Sequence, residues 1–151
     1  KQYHKKHNFI KASEAYENHI HSCLPDPDHL VKRSKRKLAN IEYMIKTQKN
    51  NLMGTAEEKY KSTNLKDAIH LARKAQKVDP YDHTISAFIH NAEKELTSKV
   101  KGIYMDSVIE ERFGNLDGSR IKWEEIMRID IEDGVYYKKA ERKLKQYGYK
   151  Y

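Results

Sequence analysis

Apolar positions recur along most of this chain at the three- and four-residue spacing of an amphipathic helix. The series Leu30, Ser34, Leu38, Ile41, Ile45, Gln48, Leu52, Ala56, Tyr60 holds helical phase throughout, as does Ile85, Ile89, Ala92, Leu96, Val100, Ile103. Alternating β-branched runs bounded by turn residues are missing, so strand content is expected to be close to zero. The pattern predicts long helices near 28–62 and 81–113, alternating with short ones near 9–23, 65–78 and 118–129. A final helix near 134–147 would close the stack through Tyr137, Ala140 and Leu144. The long helices either continue through Asn50-Asn51 and Lys101-Gly102 or break there, and the fold is all-α in both cases.

Local chemistry marks the junctions. Asn64 is placed to accept from free amides of a first helical turn, and Asp67 adds a favourable negative charge there. Asp26 and Asp79 are N-cap candidates, with Pro27 and Pro80 at the first helical position, where a missing amide costs nothing. Gly114 suits a helix C-terminus that needs positive φ.

Three segments line up with a period near 52 residues. Asn8-Phe9, Asn64-Leu65 and Asn115-Leu116 each open a helix, and each helix ends near an acidic turn at 26–28, 79–82 or 130–133. Recurrence at fixed spacing is the mark of a repeat architecture. The stretch Asn64-Leu65-Lys66-Asp67-Ala68-Ile69, followed by Ala72, Ala75 and Val78-Asp79-Pro80, resembles the tetratricopeptide repeat. That family's unit is a helix-turn-helix of about 34 residues. Residues 49–82 match it best, with Ala56, Ala68, Ala75 and Pro80 on its small-residue and proline positions. Tyr60 sits one residue past the usual aromatic site, and Thr63 stands where the family has a turn glycine. The first copy keeps Tyr3, Phe9, Ala12 and Tyr16. The third keeps Gly114, Asn115 and Trp123 but has Ser119 for the signature alanine and Ile131 for proline. About eighteen extra residues per period are five whole turns, which leaves a helix's buried face unchanged.

The resemblance implies a right-handed α-solenoid of antiparallel helices forming a single domain over 1–151. Its units would be 1–26, 27–80 and 81–131, with a capping helix at 134–147. It also implies a non-catalytic scaffold or adaptor whose concave face comes from the first helix of each unit. In this chain that nominates Met53, Glu57, Tyr60 and Lys61, then Tyr104, Val108, Glu111 and Arg112. The carboxylate clamp of chaperone-binding members needs Lys and Asn at several of these places. Met53 and Glu57 occupy two of them, which argues against a chaperone C-terminal peptide. Similar segments occur in bacterial regulatory and assembly proteins. The start at Lys1, without Met and inside an expected helix, reads as a fragment of a longer protein.

Composition narrows the classes further. Net charge is +8, and the single cysteine, Cys23, excludes an internal disulfide and fits a reducing, cytoplasmic setting. No apolar run approaches the roughly 18 residues needed to cross a bilayer. The basic excess belongs to the first third: residues 1–50 carry 11 Lys/Arg against 5 Asp/Glu, whereas 101–151 carry 11 against 10. Its sharpest feature is Lys32-Arg33-Ser34-Lys35-Arg36-Lys37. As the exposed face of a long helix it needs no further account. The alternative is a basic module that binds nucleic acid or anionic membrane through these residues. The even charge beyond residue 50 argues against a continuous nucleic-acid track.

Candidate chemistry is sparse. His19 and Cys23 share a helical face, but His21 points away and no second cluster completes a metal site unless His4 and His7 approach. The Glu110-Glu111 and Glu124-Glu125 pairs sit beside Lys or Arg, as on a solvated helix face. No nucleophile elbow, phosphate loop or dinucleotide fingerprint occurs. No enzyme activity, cofactor or metal is therefore expected, and a protein or peptide is the expected partner.

Overall fold

The computed structural model describes residues 9–22 and 30–149. Six helices follow in order: α1 Phe9–His21, α2 Leu30–Lys61, α3 Leu65–Val78, α4 His83–Arg112, α5 Leu116–Ile129 and α6 Val135–Gln146. The described residues contain no strand. Helix α2 runs unbroken through Asn50-Asn51, and α4 through Lys101-Gly102. No helix is long and apolar enough to cross a membrane.

Each helix packs on the next one in the chain, and α4 also touches α6. Two clusters make up much of the core. One gathers Ala56, Ala72, Ala75, Ile85 and Ile89 from α2, α3 and α4. The other joins Leu65, Ile69, Leu96, Val100, Trp123, Ile126 and Leu144 from α3 through α6. Trp123 is fully buried and stacks on Tyr147, ring centroids 5.5 Å apart and 12° from parallel. It therefore offers no face to a base. Its Nε1 is the one buried side-chain nitrogen or oxygen among the described residues without a hydrogen-bond partner. The burial of so large a ring outweighs that orphan donor, whose cost is about 1–3 kcal/mol.

Two reversals are near copies of one another, 51 residues apart. At the end of α2, Asn64 N–H donates to Lys59 O (3.0 Å) and Thr63 N–H to Tyr60 O (2.9 Å). At the end of α4, Asn115 N–H donates to Glu110 O (2.9 Å) and Gly114 N–H to Glu111 O (3.1 Å). Both are Schellman closures around a residue of positive φ, 62° at Thr63 and 78° at Gly114. The next residue is already the N-cap of the following helix: Asn64 accepts from Asp67 N–H and Asn115 from Gly118 N–H. A single left-handed residue thus turns the chain around. Small residues then let the antiparallel pair approach closely. Ala56 and Ala68 are fully buried between α2 and α3, and Ser107 and Ser119 occupy the equivalent places between α4 and α5. There the Ser119 hydroxyl donates to Ser107 O at 2.9 Å and the Ser107 hydroxyl to Tyr104 O at 2.7 Å, which satisfies the polar atoms that replace methyl groups.

The turn between α3 and α4 differs from the sequence expectation. Asp79 is the C-cap of α3 rather than an N-cap, and α4 is capped by Asp82, which accepts from Thr84 N–H. Pro80 therefore lies in the turn and not at the first helical position. Both carboxylates converge on Lys49 of α2, at 2.9 and 2.7 Å. The Lys49 ammonium and the Thr84 donors hold the Asp82 carboxyl well below its usual range. Asp26 and Pro27 lie outside the described residues. At the start of α6 the cap comes from a distance. Gly134 has no side chain to offer, and Asp130 accepts from Ile131 N–H and Tyr137 N–H, each at 2.9 Å. A Cβ on Gly134 would lie 2.5 Å from that carboxylate, so only glycine fits there.

The equivalence of the two reversals predicts opposite outcomes for exchanging their residues. Thr63→Gly removes a β-branched residue from the left-handed region and is expected to raise stability by about 1 kcal/mol. Gly114→Thr is expected to lower it by about the same amount. Urea unfolding followed by the emission of Trp123 measures both.

Candidate interaction surface between helices α2, α4 and α6

Helix α4 contacts α2 through side chains at one seam and α6 at another. At the first seam the Tyr60 hydroxyl of α2 donates to the Glu95 carboxylate of α4, and its ring lies 5.5 Å from that of Phe88. The bond to Glu95 raises the Tyr60 pKa above its ordinary value. Met53 is half-buried against the cluster that contains Ile85 and Ile89, while Glu57 and Lys61 are exposed.

The second seam joins α4 to α6. The Tyr104 and Tyr136 rings pack 5.4 Å apart, and Lys139 Nζ lies over both, 5.3 and 5.0 Å from their centroids. One turn beyond half-buried Val108, the Glu111 carboxylate accepts from Lys143 Nζ at 2.8 Å and from the Tyr147 hydroxyl at 2.5 Å. A carboxylate in the last turn of a helix faces the negative end of its dipole. Burial also pushes the Glu111 pKa up, yet the Lys143 and Tyr147 hydrogen bonds outweigh it and the net shift is downward. Arg112 is exposed beside it.

Between these groups lies an open cleft of about 320 Å³ lined by Tyr104, Lys139, Arg142, Lys143 and Gln146. Its wall on α4 comes from Tyr104, which the sequence nominates; its wall on α6 does not. Lys139, Arg142 and Lys143 belong to a short, highly charged helix, which reads in sequence as solvated surface. The nominated residues divide between two places. Met53 and Tyr60 belong to the α2/α4 seam. Tyr104, Val108 and Glu111 belong to the α4/α6 seam, about 13 Å further along α4 as counted from Glu95 to Tyr104.

Lys32, Arg33, Lys35, Arg36 and Lys37 are all exposed on α2, remote in sequence from both seams. Glu110 pairs with Lys122 across α4 and α5 (3.2 Å), and Glu124 pairs with Arg120 on one face of α5 (2.9 Å). His4, His7 and Cys23 lie outside the described residues. Among the described residues, no group of three or more His, Cys, Asp or Glu could hold a metal.

The tie at Glu111 carries a pH signature. Its pKa is lower in the fold than its ordinary value near 4.5, so its stabilisation is present above that value and is lost as pH falls through the lowered one. Glu111→Gln is expected to cost about 1 kcal/mol at pH 7 and almost nothing at an acidic pH below the lowered pKa, where the wild-type carboxyl is itself neutral. Urea unfolding at the two pH values reads the difference. Compared with known proteins, the chain has no match among family models, curated proteins or solved structures.

Proposed function

We propose that the chain is a non-catalytic, tetratricopeptide-like scaffold that holds a segment of a partner protein along the α2–α4–α6 face. The observation that carries this reading is the cleft lined by Tyr104, Lys139, Arg142, Lys143 and Gln146. It is open and shallow, and its groups are those that bind peptides rather than react. Tyrosines give broad contact at low entropic cost, and guanidinium and ammonium groups fix carboxylates. The partner segment is accordingly one that carries Asp or Glu beside an apolar anchor.

The solenoid geometry belongs to the same proposal. Equivalent reversals 51 residues apart, with equivalent buried small residues, support stacked helix pairs in which α2, α4 and α6 form one layer. In a stacked arrangement each pair contacts only its neighbours, and one layer is left to line a groove.

A display selection of random 15-residue peptides on the immobilised chain tests the reading. Enriched sequences are expected to be rich in Asp or Glu and to bind with micromolar affinity. Arg142→Glu, on an exposed position of α6, should weaken them at least tenfold while thermal unfolding stays unchanged. Failure to enrich any peptide, or equal binding to the variant, would count against the cleft.

A further inference from the structure

The first half of α2 carries a charge distribution that the fold does not use. Lys32, Arg33, Lys35, Arg36 and Lys37 are exposed, and among the described residues none of them makes an ion pair. Other cations, such as Lys74, Lys94 and Lys101, also make no ion pair among the described residues; what sets α2 apart is five such groups within six consecutive positions. The position is also unfavourable. The first turn of α2 contains no acidic residue, and cations there oppose the positive end of the helix dipole. Within residues 30–43 the only acidic residue is Glu42, at the far end. Lys32 and Arg33 are thus held against the helix dipole.

The arrangement around the helix indicates what it would meet. Counting 100° per residue from buried Ser34, the order is Lys35, Lys32, Arg36, Arg33, Lys37, spread over an arc of about 200°. Asn40 and Tyr43 continue the middle of that arc, and Tyr43 is 69% exposed. The opposite face, with Ser34, Leu38 and Ile41, is turned inward. Helix α3 is only 14 residues long and runs back from the turn after Lys61. It therefore covers about the last 20 Å of α2, and among the described helices the half before Gln48 packs on α1. Consistent with that, Phe9 of α1 faces Tyr43, Met44 and Thr47 across a shared cleft.

We propose that this half of α2 docks into the major groove of duplex DNA. A helix about 10–12 Å across fits a groove about 12 Å wide, and the groove presents phosphates on both walls. Cations on both flanks of one convex rod match two phosphate rows; a cleft-bound acidic peptide would engage one side. Lys35 and Lys37 with Arg33 face the walls, and Lys32, Arg36 and Asn40 face the floor. A membrane surface is the poorer match, because an interfacial helix buries a continuous apolar face and the exposed arc offers Tyr43 as its one large apolar side chain. Duplex RNA is poorer as well, since its major groove is too narrow for side chains to read.

Fluorescence anisotropy with a labelled 20-base-pair DNA duplex and the 151-residue chain tests this. With about three phosphate contacts, affinity should fall about 40-fold between 50 and 200 mM salt. Lys35→Gln with Lys37→Gln should weaken binding at low salt and reduce that fall to about 3.5-fold. Lys139→Gln with Arg142→Gln, which disturbs the proposed peptide cleft, should leave DNA binding unchanged. Circular dichroism confirms that each variant folds. Several results would overturn the proposal: no salt-sensitive binding, tighter binding to single-stranded DNA or duplex RNA, retention on phosphatidylserine vesicles without DNA binding, or loss of DNA binding in the α6 variant alone.

Discussion

The structure depends on a reversal made by one left-handed residue followed at once by an Asn cap. Thr63-Asn64 and Gly114-Asn115 each close one helix and open the next with no intervening loop. That leaves the two helices antiparallel and close, and closeness is tolerated only where side chains are small. Ala56 with Ala68 and Ser107 with Ser119 meet this demand. Once these two pairs are set, larger side chains such as Ile69, Leu96 and Trp123 fill the space between pairs. The backbone closure therefore comes first in the logic of the fold, and hydrophobic packing follows from where it places the helix faces.

Polar ties then fix how successive pairs sit. Lys49 anchors the turn after α3 through Asp79 and Asp82. Arg73 of α3 joins Glu93 of α4 to Asp133 beyond α5. Lys143 and Tyr147 hold Glu111. Each includes a link between elements that are not consecutive in the chain. Partly exposed ion pairs of this kind contribute little individually, but several of them acting on rigid helices restrict the angle between pairs. The α4–α6 cleft exists because Glu111 and the Tyr104–Tyr136 contact hold its two walls at a set spacing. Lys32, Arg33, Lys35, Arg36 and Lys37 make no such tie among the described residues.

Much of the helical layout was legible because its signals are local. The apolar phase from Leu30 to Tyr60 and from Ile85 to Ile103 marks the long helices, and Asn64 and Gly114 mark their junctions. Other features were less legible, each for a physical reason. Asp79-Pro80 and Asp82 both fit a helix start by composition; the choice of Asp82 is made with Lys49, more than thirty residues away. Thr63 is a poor left-handed residue by propensity, and only the closure around it requires that conformation. Asn50-Asn51 and Gly102 weaken a helix locally, but continuous packing of the buried face carries α2 and α4 through them. The α6 side of the cleft was hidden because Lys139, Arg142 and Lys143 become a site only when Tyr104 is brought beside them.

Hydrogen–deuterium exchange across the whole chain tests the repeated closure most directly. The account predicts slow exchange without a gap through residues 48–55 and 98–106, and protected amides at Asn64 and Asp67 and again at Asn115 and Gly118. Rapid exchange at either junction, or a fast-exchanging break at Asn50-Asn51 or Gly102, would show that the two reversals do not organise the fold.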